Sequence, residues 1–186
     1  MTKGLRFGLG ASAMLGLLAV AQAAEPLSLV TNHGTVLAWT DGNVPGMPLF
    51  TTFGSEMDNP MLADDGTVLF LSNMAGPTIS SPNSRALFQG TTLDGLSMVA
   101  QWSDPAPGLP GLSLINNAGN SGFRSGGLRI GPDGRSFFTS KLTNAGHNLP
   151  AASDTGIFGG FAGSLVNIAR EGDPAPGTSG ALFGDF

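Results

Sequence analysis

The block Asp-Pro-Ala-Pro-Gly occurs twice, at Asp104–Gly108 and at Asp173–Gly177. Two prolines in five residues fix φ and withdraw two backbone donors, so no central strand or helix runs through the block. The copies lie 69 residues apart, and they do not recur alone. Ala86-Leu87-Phe88-Gln89-Gly90 precedes the first, and Gly156-Ile157-Phe158-Gly159-Gly160 precedes the second. Farther upstream, Leu62-Ala63-Asp64-Asp65-Gly66-Thr67-Val68-Leu69-Phe70 is matched by Ile130-Gly131-Pro132-Asp133-Gly134-Arg135-Ser136-Phe137-Phe138, 68 residues on. Three blocks in one order at nearly the same spacing read as a tandem repeat. A degenerate third copy opens the chain: Trp39–Gly46 resembles Trp102–Gly108 with one residue inserted, and Leu49–Phe53 resembles Leu182–Phe186. The chain divides into a partial unit over about 24–53, a unit over about 54–115, a unit over about 116–180, and the start of a next unit at 181–186.

Each unit reads as β. Asp65-Gly66 and Asp133-Gly134 are turn dipeptides, since glycine takes positive φ without steric cost. Thr67–Leu71 and Ser136–Thr139 follow as short strands of β-branched and aromatic residues. Leu96–Trp102 alternates and predicts Leu96, Met98, Ala100 and Trp102 on one face. Polar loops are expected over 73–85 and 143–155, and no window carries a helical stripe. Four short strands in about 65–70 residues is the scale of one propeller blade. The expected fold is all-β and propeller-blade-like, with a small β-sandwich or a solenoid as alternatives. In the Asp-Pro-Ala-Pro-Gly block, Asp173 is expected to cap its turn, Pro174 and Pro176 to end pairing, and Gly177 to reverse the chain.

The N-terminus reads as a targeting segment. Lys3 and Arg6 precede an apolar run from Phe7 to Val20, and Ala21-Gln22-Ala23 supplies small residues where a signal peptidase reads. The run is shorter than the about 20 apolar residues that span a bilayer. Residues 1–23 are therefore expected to be a cleaved secretory signal peptide, with no membrane span in the chain that follows. The expected location is secreted, periplasmic or at the cell surface. Without residues 1–23 the net charge is −7. An acidic chain lacks the basic face that an electrostatic nucleic-acid binder needs, so nucleic acid is excluded as a partner. The 41% hydrophobic and 11% charged composition is unlike that of a disordered, highly charged segment. There is no cysteine, so stability must come from packing and backbone pairing.

The pattern around Ile168-Ala169-Arg170-Glu171-Gly172-Asp173-Pro174-Ala175-Pro176-Gly177, with the upstream Asp-x-Gly and Leu-Phe-x-Gly blocks, resembles the choice-of-anchor tandem-repeat family of bacterial exported proteins. The likeness covers roughly Gly34 to Phe186. Ala63 and Gly131 stand where that family's block usually starts with Asn. The resemblance implies an exported repeat protein and supplies no catalytic residues. Such proteins carry many repeats, and Ala181–Phe186 stops inside a unit, so a portion of a longer array is expected. Were the chain whole, self-association through an open β edge, or marginal stability, is expected.

Few residues point to chemistry. His33 and His147 each sit beside Gly or Asn and read as solvated loop residues. Zinc would need three or four closely placed ligands, no G-x-S-x-G elbow occurs in the sequence, and no Lys-Ser/Thr follows the Gly159–Gly163 run as a phosphate loop needs. Glu56, Asp58, Asp64 and Asp65 form the densest acidic cluster. Such a group can serve glycoside hydrolysis or hold Ca²⁺, but its spacing fits no calcium loop, and turn-forming, solvating acids are the plainer reading. Trp39 and Trp102 hold matching places, which suits paired core positions better than a sugar-stacking pair. No catalytic, cofactor-binding or metal residue is assigned, and no cofactor is expected. The sequence favours a non-catalytic surface or extracellular interaction module over an enzyme, with an unknown protein or glycan as partner. The alternative is a propeller-type carbohydrate-binding protein or carbohydrate-active enzyme.

Overall fold

The computed structural model describes residues 28–30, 36–39, 41–115, 123, 127–145 and 147–186. The signal-peptide segment, His33 and the side chain of Trp39 lie outside the described residues. The described chain is all-β. Strands β1 (Ser28–Val30) and β2 (Val36–Trp39) form an antiparallel pair. Strands β3 (Thr52–Leu62), β4 (Val68–Ala75), β5 (Arg85–Gly90) and β6 (Ser97–Gln101) form a four-stranded antiparallel sheet in chain order. A second sheet holds β7 (Leu112–Leu114), β8 (Arg129–Ile130), β9 (Ser136–Asn144), β10 (His147–Asn148), β11 (Thr155–Gly160) and β12 (Val166–Arg170). There β9 is the hub: β11 and then β12 lie on one side, and β7, β8 and β10 pair with β9 itself. Short 3₁₀ turns at Ser81–Asn83 and Ala151–Ser153 precede β5 and β11.

The pattern of each strand follows from what covers its faces. In β4, Val68, Phe70 and Met74 join one core, and Leu69 and Leu71 join another. Both faces are buried, so the strand reads as a continuous apolar run. The first core brings Phe53, Phe70 and Phe88 together with ring centroids 5.2–6.1 Å apart, under Ala38 and Val44. The second core joins the sheets, with Leu69, Leu71, Leu87 and Val99 sharing one cluster with Leu128, Phe138, Leu142 and Phe158. Phe138 stacks on Phe158 and meets Phe123 edge to face, with ring centroids 5.4 Å apart in each pair. Each fully buried Phe contributes about 2–3 kcal/mol. In β9 the alternation is clean: Ser136, Phe138, Ser140 and Leu142 are buried, while Phe137, Thr139 and Lys141 are half-buried. On the other face of the second sheet, among the described residues, Val166 and Ile168 are open to water.

One expectation needs correcting. Leu96, Met98, Ala100 and Trp102 do not share a face, because β5 pairs Leu87 with Ala100 but Phe88 with Met98, leaving Val99 as an extra residue. This bulge turns Leu96 and Met98 to the first core, and Ala100 and Trp102 to the second. Strand β12 bulges in the same way: Ile157 pairs with Ala169 and Phe158 with Asn167, leaving Ile168 unpaired.

The proline blocks form tight reversals, each closed by three backbone bonds. Ser103 N–H donates to Leu114 C=O (3.1 Å), Leu114 N–H to Asp104 C=O (2.9 Å), and Ala106 N–H to Leu112 C=O (2.8 Å). Gly172–Phe183, Phe183–Asp173 and Ala175–Ala181 repeat this pattern at 3.0, 2.9 and 2.9 Å, and Asp41–Phe53, Phe53–Gly42 and Val44–Thr51 repeat it at 2.9 Å each. Pro followed by Gly at positive φ (Gly46, Gly108 and Gly177, at +75°, +72° and +75°) is the geometry of a type II turn. The capping bond is made by Asp104, whose Oδ2 accepts Gln101 N–H at 2.7 Å, and not by Asp173. Burial pushes the Asp104 carboxyl up, and the Gln101 N–H only partly offsets it.

The loop between β11 and β12 tests this geometry. Gly160 has φ +140°, and a Cβ there would meet Ser164 C=O at 2.5 Å, whereas Gly163 at φ +80° has open space around it. Gly160→Ala is expected to destabilise the fold by about 2–3 kcal/mol, and Gly163→Ala by about 1 kcal/mol. Urea unfolding of the two variants measures the gap.

Candidate functional site

The acidic cluster resolves into two separate structural devices. Glu56 and Asp58 lie on β3, where Asp58 pairs with Arg85 of β5 and Glu56 accepts a hydrogen bond from Asn73 Nδ2 at 2.9 Å. Asp64 and Asp65 lie in the β3–β4 turn, and Asp65 Oδ1 accepts Thr67 N–H at 2.8 Å. The hydrogen bonds from Thr67, backbone first and then hydroxyl, hold the Asp65 carboxyl below its ordinary value. Among the described residues no group of three or more His, Cys, Asp or Glu is placed to hold a metal ion. His147 is exposed on the short β10. Trp102 is buried in the core shared by the sheets, where its ring is not available to a sugar, and its Nε1–H has no partner among the described residues.

The feature with binding geometry is the outer face of the second sheet. Phe137 of β9 stands opposite Gly159 of β11, and Gly159 stands opposite Val166 of β12. Glycine at 159 leaves the floor free: a Cβ there would lie 2.6 Å from the Phe137 ring and 2.8 Å from Ile168 Cδ1, so both side chains close over it. The β11–β12 loop adds Phe161 and Ser164, and the turn before β9 adds Arg135, making an open groove of about 430 Å³. The Arg135 guanidinium lies 5.5 Å over the Phe161 ring and is paired with Asp133 at 3.2 Å. The rim is apolar and wet: Val166 is 57% and Ile168 52% exposed. Val99, at the same bulge of β6, is 6% exposed because the second sheet covers it. What the groove can do is hold an apolar or aromatic group against Arg135. It brings together no nucleophile paired with a base and no paired carboxylates.

Residues 10–186 match the model of a family of unknown function, DUF7453. The chain belongs to DUF7453. Neither the curated proteins nor the solved structures contain a match to it. The family covers nearly the whole of the chain, so both sheets and the groove lie within the DUF7453 region.

The sequence did not single out the groove. Phe161 was visible only as part of a glycine-rich run. The comparison that could have found it is Val166-Asn167-Ile168 against Ser97-Met98-Val99, where the same bulge position is apolar twice. A second polar cluster also went unread. At the far end of β9, Lys141 pairs with Asp154, and the carboxyl of Glu171, 3% exposed, accepts Thr155 N–H at 3.0 Å. This cluster ties β9, β11 and β12 of the DUF7453 fold across one end.

The tie has a pH signature. Burial alone would raise the Asp154 carboxyl, but its bonds with Lys141, Thr155 and Glu171 together hold it below its ordinary value. A lowered carboxyl contributes stability that is present above the unfolded carboxylate range and is lost as pH falls through its folded value. Lys141→Met is expected to cost about 2 kcal/mol at neutral pH, between the limits for exposed and buried pairs. The gap to the unaltered chain should close as pH drops below about 4. Thermal melts of both proteins from pH 7 to pH 3 check this.

Proposed function

We propose that this DUF7453 chain is an exported, non-catalytic β-repeat module that binds a partner through the outer face of its second sheet. The contrast between Val99 and Ile168 carries the reading. The same strand, bulge and apolar side chain are covered in one sheet and open to water in the other. Contiguous exposed apolar surface rimmed by polar groups marks an interaction site. The two four-stranded meanders, β3–β6 and β8/β7–β9–β11–β12, are read here as copies of one propeller-blade-like unit, joined by the three-bond proline turns. Their likeness to choice-of-anchor tandem repeats and the signal-like residues 1–23 support export and a place at the cell surface. The partner is a protein or a glycan presenting an apolar surface.

The Val166→Glu/Ile168→Glu double variant tests the face. If the face is open, the variant keeps the native circular dichroism and a stability within about 0.5 kcal/mol, as surface changes do. It also loses the binding of a fluorescent hydrophobic dye that the unaltered chain shows. A loss of several kcal/mol would show that the chain covers this face itself and would defeat the reading. Export is checked separately: the secreted chain should begin at Ala24 by mass spectrometry.

A further inference from the structure

The turn before β3 carries a side chain that its own chain does not explain. Phe50 sits at φ +67° and is 76% exposed, beside Leu49 at 84%. The two other proline turns place Gly111 and Gly180 there, at φ +79° and +84°. A residue with a Cβ is strained in this region, and an aromatic ring in water recovers nothing by burial. Strain held at an exposed apolar tip points from geometry to function.

The groove on the second sheet is suited to an aromatic ring. Arg135 has Phe161 on one face of its guanidinium, and its side chain is 56% exposed, so the opposite face is open to a second ring. Among the described residues the large exposed aromatic side chains are Phe50 and Phe161, and Phe161 already belongs to the groove. The two features lie at opposite ends of the molecule. Val44 and Met47, in the Phe50 turn, pack on the face of the four-stranded sheet turned away from the second sheet. The groove lies on the far face of the second sheet.

We infer that the Leu49–Phe50 tip of one copy of this chain docks into the Arg135–Phe137–Phe161–Ile168 groove of a second copy. The contact puts the start of one stack of sheets against the end of another, and so continues the packing that joins the two sheets within the chain. A knob and a groove at opposite ends make a heterologous contact, which propagates head to tail instead of closing as a dimer. The inference rests on the proposed role of the outer face and names its partner.

Sedimentation velocity of the purified full chain over a wide concentration range tests it, with Phe50→Gly, Leu49→Ser and Ile168→Glu as variants. Phe50→Gly places glycine where glycine is favoured, so its folding is secure. The expected result is a series of oligomers that grows with concentration for the unaltered chain. Each variant alone should be a monomer, with apparent association weakened at least tenfold. An equimolar mixture of Phe50→Gly and Ile168→Glu keeps one good tip and one good groove, and should form a 1:1 dimer and no larger species. A mixture that stays monomeric while the unaltered chain dimerises would show a symmetric contact and overturn the inference. Assembly of the tip variants like the unaltered chain, with Ile168→Glu monomeric, would overturn the tip but leave the face as a docking surface. A monomer at every concentration would overturn the self-association. If such a monomer bound phosphatidylcholine vesicles through Phe50, the tip would be a lipid contact instead. Dye binding unchanged by the face variant would remove both readings together.

Discussion

Burial of the β3–β6 sheet on both faces is the constraint from which the rest follows. Strand β4 can alternate Phe70 and Leu71 to opposite sides only because Phe53, Phe88 and Ala38 wait on one side, and Phe138, Phe158 and Leu142 share the cluster on the other. An apolar strand of this kind has no stable place in a sheet with one face in water. The second sheet is thus held by its phenylalanine face, and its other face is left to polar and half-buried residues plus the Phe137–Ile168 rim. The bulges at Val99 and Ile168 serve this arrangement: each turns the end of its strand, so that one short segment feeds two different environments.

The punctuation of the fold was legible in the sequence because local chemistry dictates it. Asp65-Gly66 and Asp133-Gly134 form turns, and the proline blocks form reversals, since no neighbouring element changes what proline and glycine can do. Strands β4, β6 and β9 were legible in part from β-branched and aromatic runs or from alternation. Strand β3 was not. Gly54-Ser55-Glu56-Met57-Asp58-Asn59 shows no alternation, because two register shifts break its pairing with β4. Its polar residues are held in the strand by partners on β4 and β5, Asn73 and Arg85, which only the sheet brings near. The acidic cluster therefore read as loop chemistry when half of it was strand chemistry. The outer groove was illegible for a related reason: Val99 and Ile168 are the same kind of residue, and whether a sheet covers them is decided outside their own sequence window.

The charges show the same economy. The chain has 8 Lys and Arg against 13 Asp and Glu. Arg85 is committed to Asp58, Lys141 to Asp154 and Arg135 to Asp133, while Arg170 donates to Ser153 C=O at 2.9 Å. Three of these four join different strands or turns near the end of a sheet. The cations work as ties, and the surplus of acids faces water. With these four cations paired, the described surface has little to offer a polyanion.

The three proline turns share their hydrogen bonds and differ in what they carry. Ser103 and Asp41 hold positive φ where Gly172 holds it without cost, and Phe50 does so where Gly111 and Gly180 stand. Ser103 has a structural return, since its hydroxyl donates to Pro82 C=O at 2.9 Å. Phe50 has none among the described residues, being among the most exposed apolar ones. Where strain is offset by a bond, the bond explains the residue. Where strain and exposure coincide on one aromatic ring, the strain points to a contact outside the chain, and the open apolar face at the opposite end of the stack matches that ring in chemistry.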